Sequence, residues 1–475
     1  MRHNLRFIPL VMAFTAIMVI GWWLFNDPTR HLAVSGPDAD GFTATVGEAE
    51  HIEIGSFFDR FSESGTLLEE TWPVFRGERA DNIYRSDIPL IDRFDGTPPQ
   101  VLWSVDLGEG HAGAAIYKGL VYVIDYDEEL RADMLRCFDL VSGEEIWRRW
   151  YHVLVRRNHG MSRTVPAVTE NYILTIGPRG HVMCVDRHTG DLLWGIDLEM
   201  AYGTEIPLWY TGQCPLIIHD SVAVIAPGGS ALMIGVRCST GEVLWETPNP
   251  NQWNMSHSSV VPYSFDGQNM LIYVATGGVT GVAADGPNAG TVLWETAQWN
   301  HPVTAASPVG MPDGKIFLTA GYGAGSALLQ LSRHGNGFEV EVLKSYRPGE
   351  GLSSEQQTPV LVDGHLYGIM PKDARTLRNQ MVCVRPEDPT QVVWSSGSTA
   401  RFGLGPYIVA GDKFYLLDDD ATLIIVEKST RAYVEIDRVK LFDGHDAWAP
   451  LAIADGYMVL RDDRTMVCIN LRKRQ

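Results

Sequence analysis

Short runs of β-forming hydrophobic residues recur along the chain, and most of them follow a turn such as Lys118-Gly119 or Asp363-Gly364. No apolar stripe with a 3.6-residue period is long enough to indicate a helix between them, so we predict strands. The eight clearest runs are LVYVI from Leu120, YILTI from Tyr172, VAVI from Val222, LIYVA from Leu271, IFLT from Ile316, LYGI from Leu366, FYLL from Phe414 and YMVL from Tyr457.

Each run belongs to a longer unit that carries four strand signals. A small or proline-containing stretch precedes the run, a third strand such as MCVD from Met183 follows it, and a turn leads into a fourth strand that ends in tryptophan, as in residues 186–194 (DRHTGDLLW). These tryptophans occupy positions 103, 147, 194, 245, 294 and 394, with gaps of 44, 47, 51, 49 and 100 residues. The last gap equals two periods, with one tryptophan missing between them. A period of about 40–50 residues with four short antiparallel strands per unit predicts a β-propeller. We expect the tryptophans to pack between neighbouring blades.

The two ends of the repeat predict how the ring closes. The last unit stops after VCINL at residues 467–471 and lacks its fourth strand, whereas residues 99–107 (PQVLWSVDL) form a fourth strand without a unit. Pairing residues 101–105 with residues 466–470 would complete an eighth blade and remove two open edges. Residues 71–475 are therefore predicted to form one all-β, eight-bladed β-propeller.

The first 70 residues differ from the repeat. Positive charges at Arg2 and Arg6 precede an uncharged apolar run over residues 7–25 that ends near Trp22 and Trp23. This length and flanking pattern predict a transmembrane anchor helix over residues 1–25, with the rest of the chain on the extracytoplasmic, periplasmic side; a cleaved signal peptide is the alternative. Residues 26–70 are acidic and rich in glycine, which predicts a tether with a short helix around residues 57–61.

Charge argues against one class of partner. The chain has 475 residues, of which 45% are hydrophobic and 20% charged, and its formal net charge is −20. Nucleic-acid binding needs clustered Lys and Arg to neutralise phosphates. We therefore expect no nucleic-acid partner.

Three segments resemble a known repeat family. Residues 186–194 (DRHTGDLLW), 238–245 (CSTGEVLW) and 72–77 (WPVFRG) look like the repeat and the lead-in segment of the pyrroloquinoline-quinone (PQQ)-like propellers. The resemblance runs from Trp72 to the C-terminus. It implies either a quinoprotein alcohol dehydrogenase or a non-enzymatic relative similar to the propeller lipoprotein of the outer-membrane β-barrel assembly machinery, because this fold hosts both.

The cysteines bear on that choice. Dehydrogenases of this family carry two adjacent cysteines against the quinone and a calcium ion held by carboxylate and amide oxygens. The six cysteines here are never adjacent, and four of them share one position in the third strand of different units, which indicates buried free thiols. The sequence therefore favours a binding or scaffold module for a protein partner or a polar ligand. A PQQ-dependent oxidoreductase, with PQQ and calcium in the central funnel, is the alternative.

Candidate binding residues lie in the loops that lead into the innermost strands. In a propeller these loops converge on one mouth of the central channel, where inward-pointing donors and aromatic rings could hold a polar ligand or a peptide. Each residue could instead satisfy loop carbonyls or contacts between blades. We expect no metal site, because His159, His257 and His445 come from three separate blades. The candidate residues are His111, Arg163, Trp209, Gln213, His257, Gln356, Arg401, His445 and Asp446.

Overall fold

The computed structural model describes residues 12–16, 18, 19, 22, 52–63, 65–335 and 337–473. The chain divides into two compact units, residues 1–51 and residues 52–475. In the first unit the described residues 12–16, 18, 19 and 22 are helical. Among the described residues, no helix has both the length and the apolar character needed to cross a membrane. The remainder of the predicted anchor over residues 1–25 lies outside them.

The second unit contains eight sheets, each built on a blade of four antiparallel strands, so the predicted eight-bladed propeller is confirmed. Two of these sheets carry additional strands from the segment before the repeat. Blades 1 to 4 comprise β5–β8 (Ala115–Tyr117, Leu120–Asp127, Ala132–Asp139, Glu145–His152), β9–β12 (Ala167–Val168, Tyr172–Ile176, His181–Asp186, Leu192–Asp197), β13–β16 (Leu216–Ile218, Val222–Ile225, Ala231–Arg237, Val243–Pro248) and β17–β20 (Val261–Phe265, Gln268–Ala275, Gly278–Ala283, Val292–Thr296).

Blades 5 to 7 follow the same plan, and blade 8 takes its outer strand from the start of the domain. They comprise β21–β24 (Val309–Gly310, Lys315–Ala320, Gly325–His334, Gly337–Tyr346), β25–β28 (Val360–Val362, His365–Ile369, Met381–Arg385, Asp388–Ser395), β29–β32 (Tyr407–Ala410, Lys413–Leu417, Thr422–Glu427, Glu435–Lys440), and β33–β35 (Ala452–Ala454, Tyr457–Arg461, Thr465–Asn470) with β4 (Gln100–Asp106). The short helix α1 is Leu198–Tyr202, and short 3-10 helices span Gly286–Asn288 and Arg375–Leu377.

Closure occurs where the sequence predicts it. Strand β4 pairs antiparallel with β35, with Val105 opposite Met466 and Trp103 opposite Cys468. An N-terminal strand thus completes the last blade, so that both ends of the repeat are held in one sheet.

In several blades the recurring tryptophan contacts the next blade. The indole Nε1 of Trp103 in blade 8 donates a hydrogen bond to Leu140 O in blade 1 (2.8 Å), and Trp194 in blade 2 donates to Cys238 O in blade 3 (2.7 Å). The Trp194 ring lies over Gly241, in the turn before β16, where an added Cβ would be 2.9 Å from the ring. The glycine in the repeated turn therefore makes room for the tryptophan of the preceding blade.

Two blades lack this tryptophan and use the position differently. The residue opposite Leu328 in blade 5 is Lys344, and the residue opposite Ile425 in blade 7 is Asp437. The Asp437 carboxylate accepts hydrogen bonds from the backbone N–H groups of Phe94 (2.8 Å) and Asp95 (2.9 Å). In blade 7 this position therefore holds the segment that leads into β4.

The segment before the repeat corrects one prediction. Residues 57–61 are not helical: β1 (Phe57–Arg60) is a strand that pairs antiparallel with β8 at the outer edge of blade 1. The Asp59 carboxylate accepts hydrogen bonds from Arg148 Nε (3.0 Å) and Trp150 Nε1 (2.9 Å), and Phe57 stacks on Trp150. An open strand edge offers unpaired backbone groups, which favour an added strand over a free helix. The last part of the predicted tether over residues 26–70 therefore belongs to the propeller unit.

The lead-in segment that follows crosses the central channel. Strand β2 (Thr71–Trp72) pairs with the inner strand of blade 1, and β3 (Ile83–Tyr84) pairs in parallel with the inner strand of blade 7. Between them, Arg76 Nη2 donates a hydrogen bond to Pro359 O of blade 6 (3.2 Å). Arg76 and Gly77 have φ values of 70° and 81°, which turn the chain back across the channel. This turn places Phe75 inside the ring.

Candidate functional site

A cavity opens at the channel mouth, on the face where the connections between blades converge, and Phe75 of the lead-in segment lines its inner part. We call it the channel-mouth cavity; its volume is about 80 Å³, and it opens to solvent. The residues that line it come from the lead-in segment and from seven of the connections between blades. The polar and aromatic ones are Phe75, His111, Arg163, Trp209, His257, Ser259, Gln356, Gln357 and Trp448.

His111 is held in the wall of this cavity by backbone and ring contacts. Its N–H donates to Ser162 O (2.7 Å), and its ring stacks on Trp448 with centroids 3.6 Å apart. Only 4% of the residue is exposed, and its Nδ1 has no hydrogen-bond partner. Burial, with the nearby positive charge of Arg163, lowers the pKa of His111 to about 2. The imidazole is therefore neutral at physiological pH.

His257 has a defined tautomer. Its Nε2 lies 2.6 Å from Leu208 O, and a carbonyl can only accept, so Nε2 carries the hydrogen. Burial lowers the pKa of His257 to about 4, so its Nδ1 is an unprotonated acceptor, and this buried atom has no partner. The ring lies against Gly212, where an added Cβ would be 2.9 Å from the imidazole.

Arg163 combines a structural role with an unbalanced charge. Its Nε donates to Trp209 O (2.6 Å), and its Nη2 donates to the carbonyls of Asn158 (3.1 Å), His159 (2.6 Å) and Gly160 (3.3 Å). Burial lowers the pKa of Arg163 to about 10, so the guanidinium remains charged. Within the described part of the chain, no carboxylate forms an ion pair with it. The Nε and Nη2 groups of Arg163 therefore satisfy loop carbonyls, as the structural alternative predicts.

Two further predicted residues line the same cavity. Trp209 has a φ of 66° and stacks on Tyr322, with ring centroids 5.6 Å apart. Gln356 is half-buried beside Gln357, whose Nε2 donates to Trp448 O (3.1 Å). The structure therefore brings His111, Arg163, Trp209, His257 and Gln356 together.

The other four predicted residues do not line the cavity. Gln213 is fully buried, where it accepts from the N–H of Ala226 (2.9 Å) and donates to its carbonyl (3.0 Å), so it stabilises a loop. Arg401 is exposed on the connection between blades 6 and 7. His445 and Asp446 are exposed in the last connection, with His445 Nδ1 3.4 Å from the Asp463 carboxylate.

The lining residues that were not predicted include Phe75, Gln357 and Trp448. Phe75 lies in the WPVFRG segment, which the sequence marks as a family feature but not as a channel residue. Gln357 and Trp448 lie in interblade loops, a few residues before β25 and β33, and the pattern Ala-Trp-Ala-Pro before β33 is the signal that could have identified Trp448.

Exposed apolar side chains project from the loops on the mouth face. Leu154 (55% exposed) lies between β8 and β9, Leu208 (52%) between α1 and β13, and Tyr322 (44%) between β22 and β23. Two of them are tied to the cavity: Leu208 O accepts from His257, and Tyr322 stacks on Trp209. We call Leu154, Leu208 and Tyr322 the apolar rim.

The cavity does not suit a quinone with calcium. No Asp or Glu is among its lining residues, so it lacks the carboxylate that calcium requires. Within the described ranges, no group of three or more His, Cys, Asp or Glu is placed to hold a metal ion. All six cysteines are free and buried, and Cys214 is the one that borders the cavity.

Fold and channel together define a PQQ-like eight-bladed propeller, a class that includes both enzymes and binding proteins. Residues 90–206 and 131–375 match the family described as Outer membrane protein assembly factor BamB. These overlapping matches cover more than half of the chain, and the protein belongs to this family.

Two solved structures share the fold at low sequence identity. BamB from Moraxella catarrhalis is 11% identical with a TM-score of 0.52, over 80% of this chain and 100% of that one. The quinohemoprotein alcohol dehydrogenase from Comamonas testosteroni is 11% identical with a TM-score of 0.55, over 85% of this chain and 81% of that one. A comparison with curated proteins gave no match. At this identity the structures support the fold alone.

Proposed function

We propose that this protein is a binding propeller whose mouth face docks a protein partner. The observation that carries the proposal is the apolar rim: Leu154, Leu208 and Tyr322 are exposed on the face onto which the cavity opens, and the cavity wall contains buried polar atoms without partners. Exposed apolar side chains grouped on one face and bordered by polar groups are typical of interaction surfaces.

Membership of the BamB family supports a scaffold role, and the cavity supports it in a second way. The channel-mouth cavity has neither acidic lining residues for calcium nor adjacent cysteines, so the residues that would operate a quinone are missing from its wall. Its side chains are suited to hydrogen bonding and aromatic contact. We therefore favour a binding function over the oxidoreductase alternative.

We further propose that the propeller works on the extracytoplasmic, periplasmic side of a membrane. This part of the proposal is supported by the sequence of residues 1–25 alone, where positive residues precede an apolar run. Cell fractionation tests it, because an anchored protein should resist extraction at high pH, whereas a chain cleaved after the apolar run should be released.

The docking proposal can be tested with two pairs of charge substitutions. Changing Leu154 and Leu208 to Glu should leave the melting temperature near that of the wild type, because both side chains are already solvated, but should reduce recovery of a co-purifying partner at least tenfold. The matched control changes Val243 and Val292 to Glu, since these are exposed at 40% and 38% on outer strands of blades 3 and 4. Equal recovery from both double variants would contradict docking at the mouth.

A further inference from the structure

We infer that the channel-mouth cavity binds a small carboxylate whose neighbouring group is a hydrogen-bond donor, such as an N-acylated amino acid or the last residue of a polypeptide. The inference rests on the proposed binding role of the mouth face and names the chemical group that enters the cavity. It follows from the missing charge and hydrogen-bond partners of three side chains in the cavity wall.

Arg163 requires an anionic acceptor. Its Nε and Nη2 are occupied by four loop carbonyls, whereas no hydrogen bond leaves its Nη1 anywhere in the described residues. The half-buried guanidinium also has no carboxylate paired with it there. A small carboxylate satisfies both the charge and the free N–H groups through charge-assisted hydrogen bonds, which are about twice as strong as neutral ones.

His257 requires a donor. Its Nε2–H is committed to Leu208 O at 2.6 Å, so the buried Nδ1 is an acceptor that the protein itself leaves unpaired. A carboxylate alone cannot satisfy this atom, because an ionised carboxylate only accepts hydrogen bonds. The ligand must therefore carry an N–H or O–H group as well.

His111 supplies a second unpaired nitrogen, and the rest of the wall limits the size of the ligand. His111 is 4% exposed, lines the cavity, and has no partner at Nδ1. Phe75, Val303 and Ala305 add an apolar part to the wall. The cavity, of about 80 Å³, opens to solvent and admits a small group or the end of a chain, but not a folded domain.

Three small probes test the two requirements separately on the wild-type protein. N-acetylglycine has both the carboxylate and the adjacent N–H, N-acetylsarcosine lacks the N–H, and N-acetylglycinamide lacks the charge. Ligand-observed NMR titration should show N-acetylglycine binding about tenfold or more tightly than either analogue. Equal affinity for all three probes, or no binding of N-acetylglycine at any soluble concentration, would overturn the inference.

Two variants assign the requirements to residues. Arg163→Gln should lose the preference for N-acetylglycine over N-acetylglycinamide, and His257→Phe should lose the preference over N-acetylsarcosine. Arg157→Gln is the matched control, because Arg157 lies in the same loop, is 72% exposed and is paired with Glu109, and it should keep both preferences. A loss of both preferences in the control would contradict the assignment. Since Arg163 also holds loop carbonyls, thermal unfolding must accompany its variant, and the probe series on the wild type decides the question if that variant unfolds.

The source of the carboxylate is distinguished by length. Acetyl-Ala-Ala-Gly should bind more tightly than N-acetylglycine if the natural ligand is a polypeptide end, because the added residues can reach the apolar rim, and equally well if it is a free molecule. The amidated tripeptide should bind weakly in both cases, and tight binding by it would overturn the inference. If the probes fail while the Leu154 and Leu208 variant loses its partner, this inference alone is overturned. If that variant keeps its partner, the proposed function fails whatever the probes show.

Discussion

Removing one interblade tryptophan should test the structural core of this account, and Trp194→Ala is the change that we choose. Trp194 is 8% exposed, lies against Gly241 of the next blade, and donates a 2.7 Å hydrogen bond to Cys238 O. Truncation would open a cavity between blades 2 and 3 and would leave that carbonyl without its partner.

The expected loss follows from the area and the hydrogen bond. Burying a tryptophan removes roughly 150–250 Å² from water, worth on the order of 4–6 kcal/mol at about 25 cal/mol per Å². Measured costs of Trp→Ala in protein cores are about 3–5 kcal/mol, because the surroundings relax partly into the space. We expect the free energy of unfolding to fall by about 3–5 kcal/mol, a large part of the roughly 5–15 kcal/mol of a typical domain.

Urea denaturation followed by tryptophan fluorescence and circular dichroism measures this loss. Lys344→Ala is the matched control, since Lys344 occupies the equivalent position of blade 5 opposite Leu328 but is exposed, and it should change stability by less than about 0.5 kcal/mol. Trp194→Phe should fall between the two, because it keeps most of the ring and loses the hydrogen bond. Equal stability of Trp194→Ala and Lys344→Ala would refute the interblade role of the tryptophan.

Three further predictions follow from the same structure. Gly235→Ala should lower the free energy of unfolding by about 1–3 kcal/mol, because the added Cβ would lie 2.1 Å from the Trp245 ring. In the same denaturation assay Gly337→Ala should be nearly neutral, because the nearest atom to its added Cβ would be 3.8 Å away. Burial raises the pKa of Asp133 from 3.8 to about 7, so the folded state favours the protonated carboxyl, and the stability that this group contributes is present below about pH 4 and is lost as the pH rises through 7. Asp133→Asn should flatten that part of the curve of unfolding free energy against pH. Identical curves for the variant and the wild type would contradict this prediction. The six buried thiols should react with a thiol reagent only after unfolding, since burial raises the pKa of Cys214 and Cys383 to about 11, and fast labelling of the native protein would contradict this.

The repeat could be predicted because its signals are local and periodic. Every blade has its own apolar strands, most blades have a turn glycine and a tryptophan of their own, and the unpaired strand around Trp103 has one partner that completes the ring. The strand Phe57–Arg60 could not be predicted in the same way. Its sequence FFDR has no clear alternation, and it becomes a strand because the edge of β8 offers backbone groups and Asp59 meets Arg148 and Trp150.

Only part of the candidate site could be predicted from the sequence. The loops that lead into the inner strands predict His111, Arg163, His257 and Gln356 at one channel mouth, and these four residues line one cavity because the loops occupy equivalent points of the ring. The loop pattern could not show that the Gln213 side chain instead bonds to the backbone of Ala226 after β14. It also could not place Phe75, because the path of the lead-in segment across the channel depends on the left-handed turn at Arg76 and on pairing with two distant blades.

Site-specific photo-crosslinking in intact cells tests the central claim most directly. A photoreactive phenylalanine analogue would replace Leu208 on the apolar rim, and a second protein would carry it at Val243, an exposed position of similar size on the outer strand of blade 3. The proposal of a docking mouth predicts a discrete crosslinked adduct from position 208 and none from position 243. Adducts from position 243 alone would place the partner on the outside of the ring and contradict the proposal.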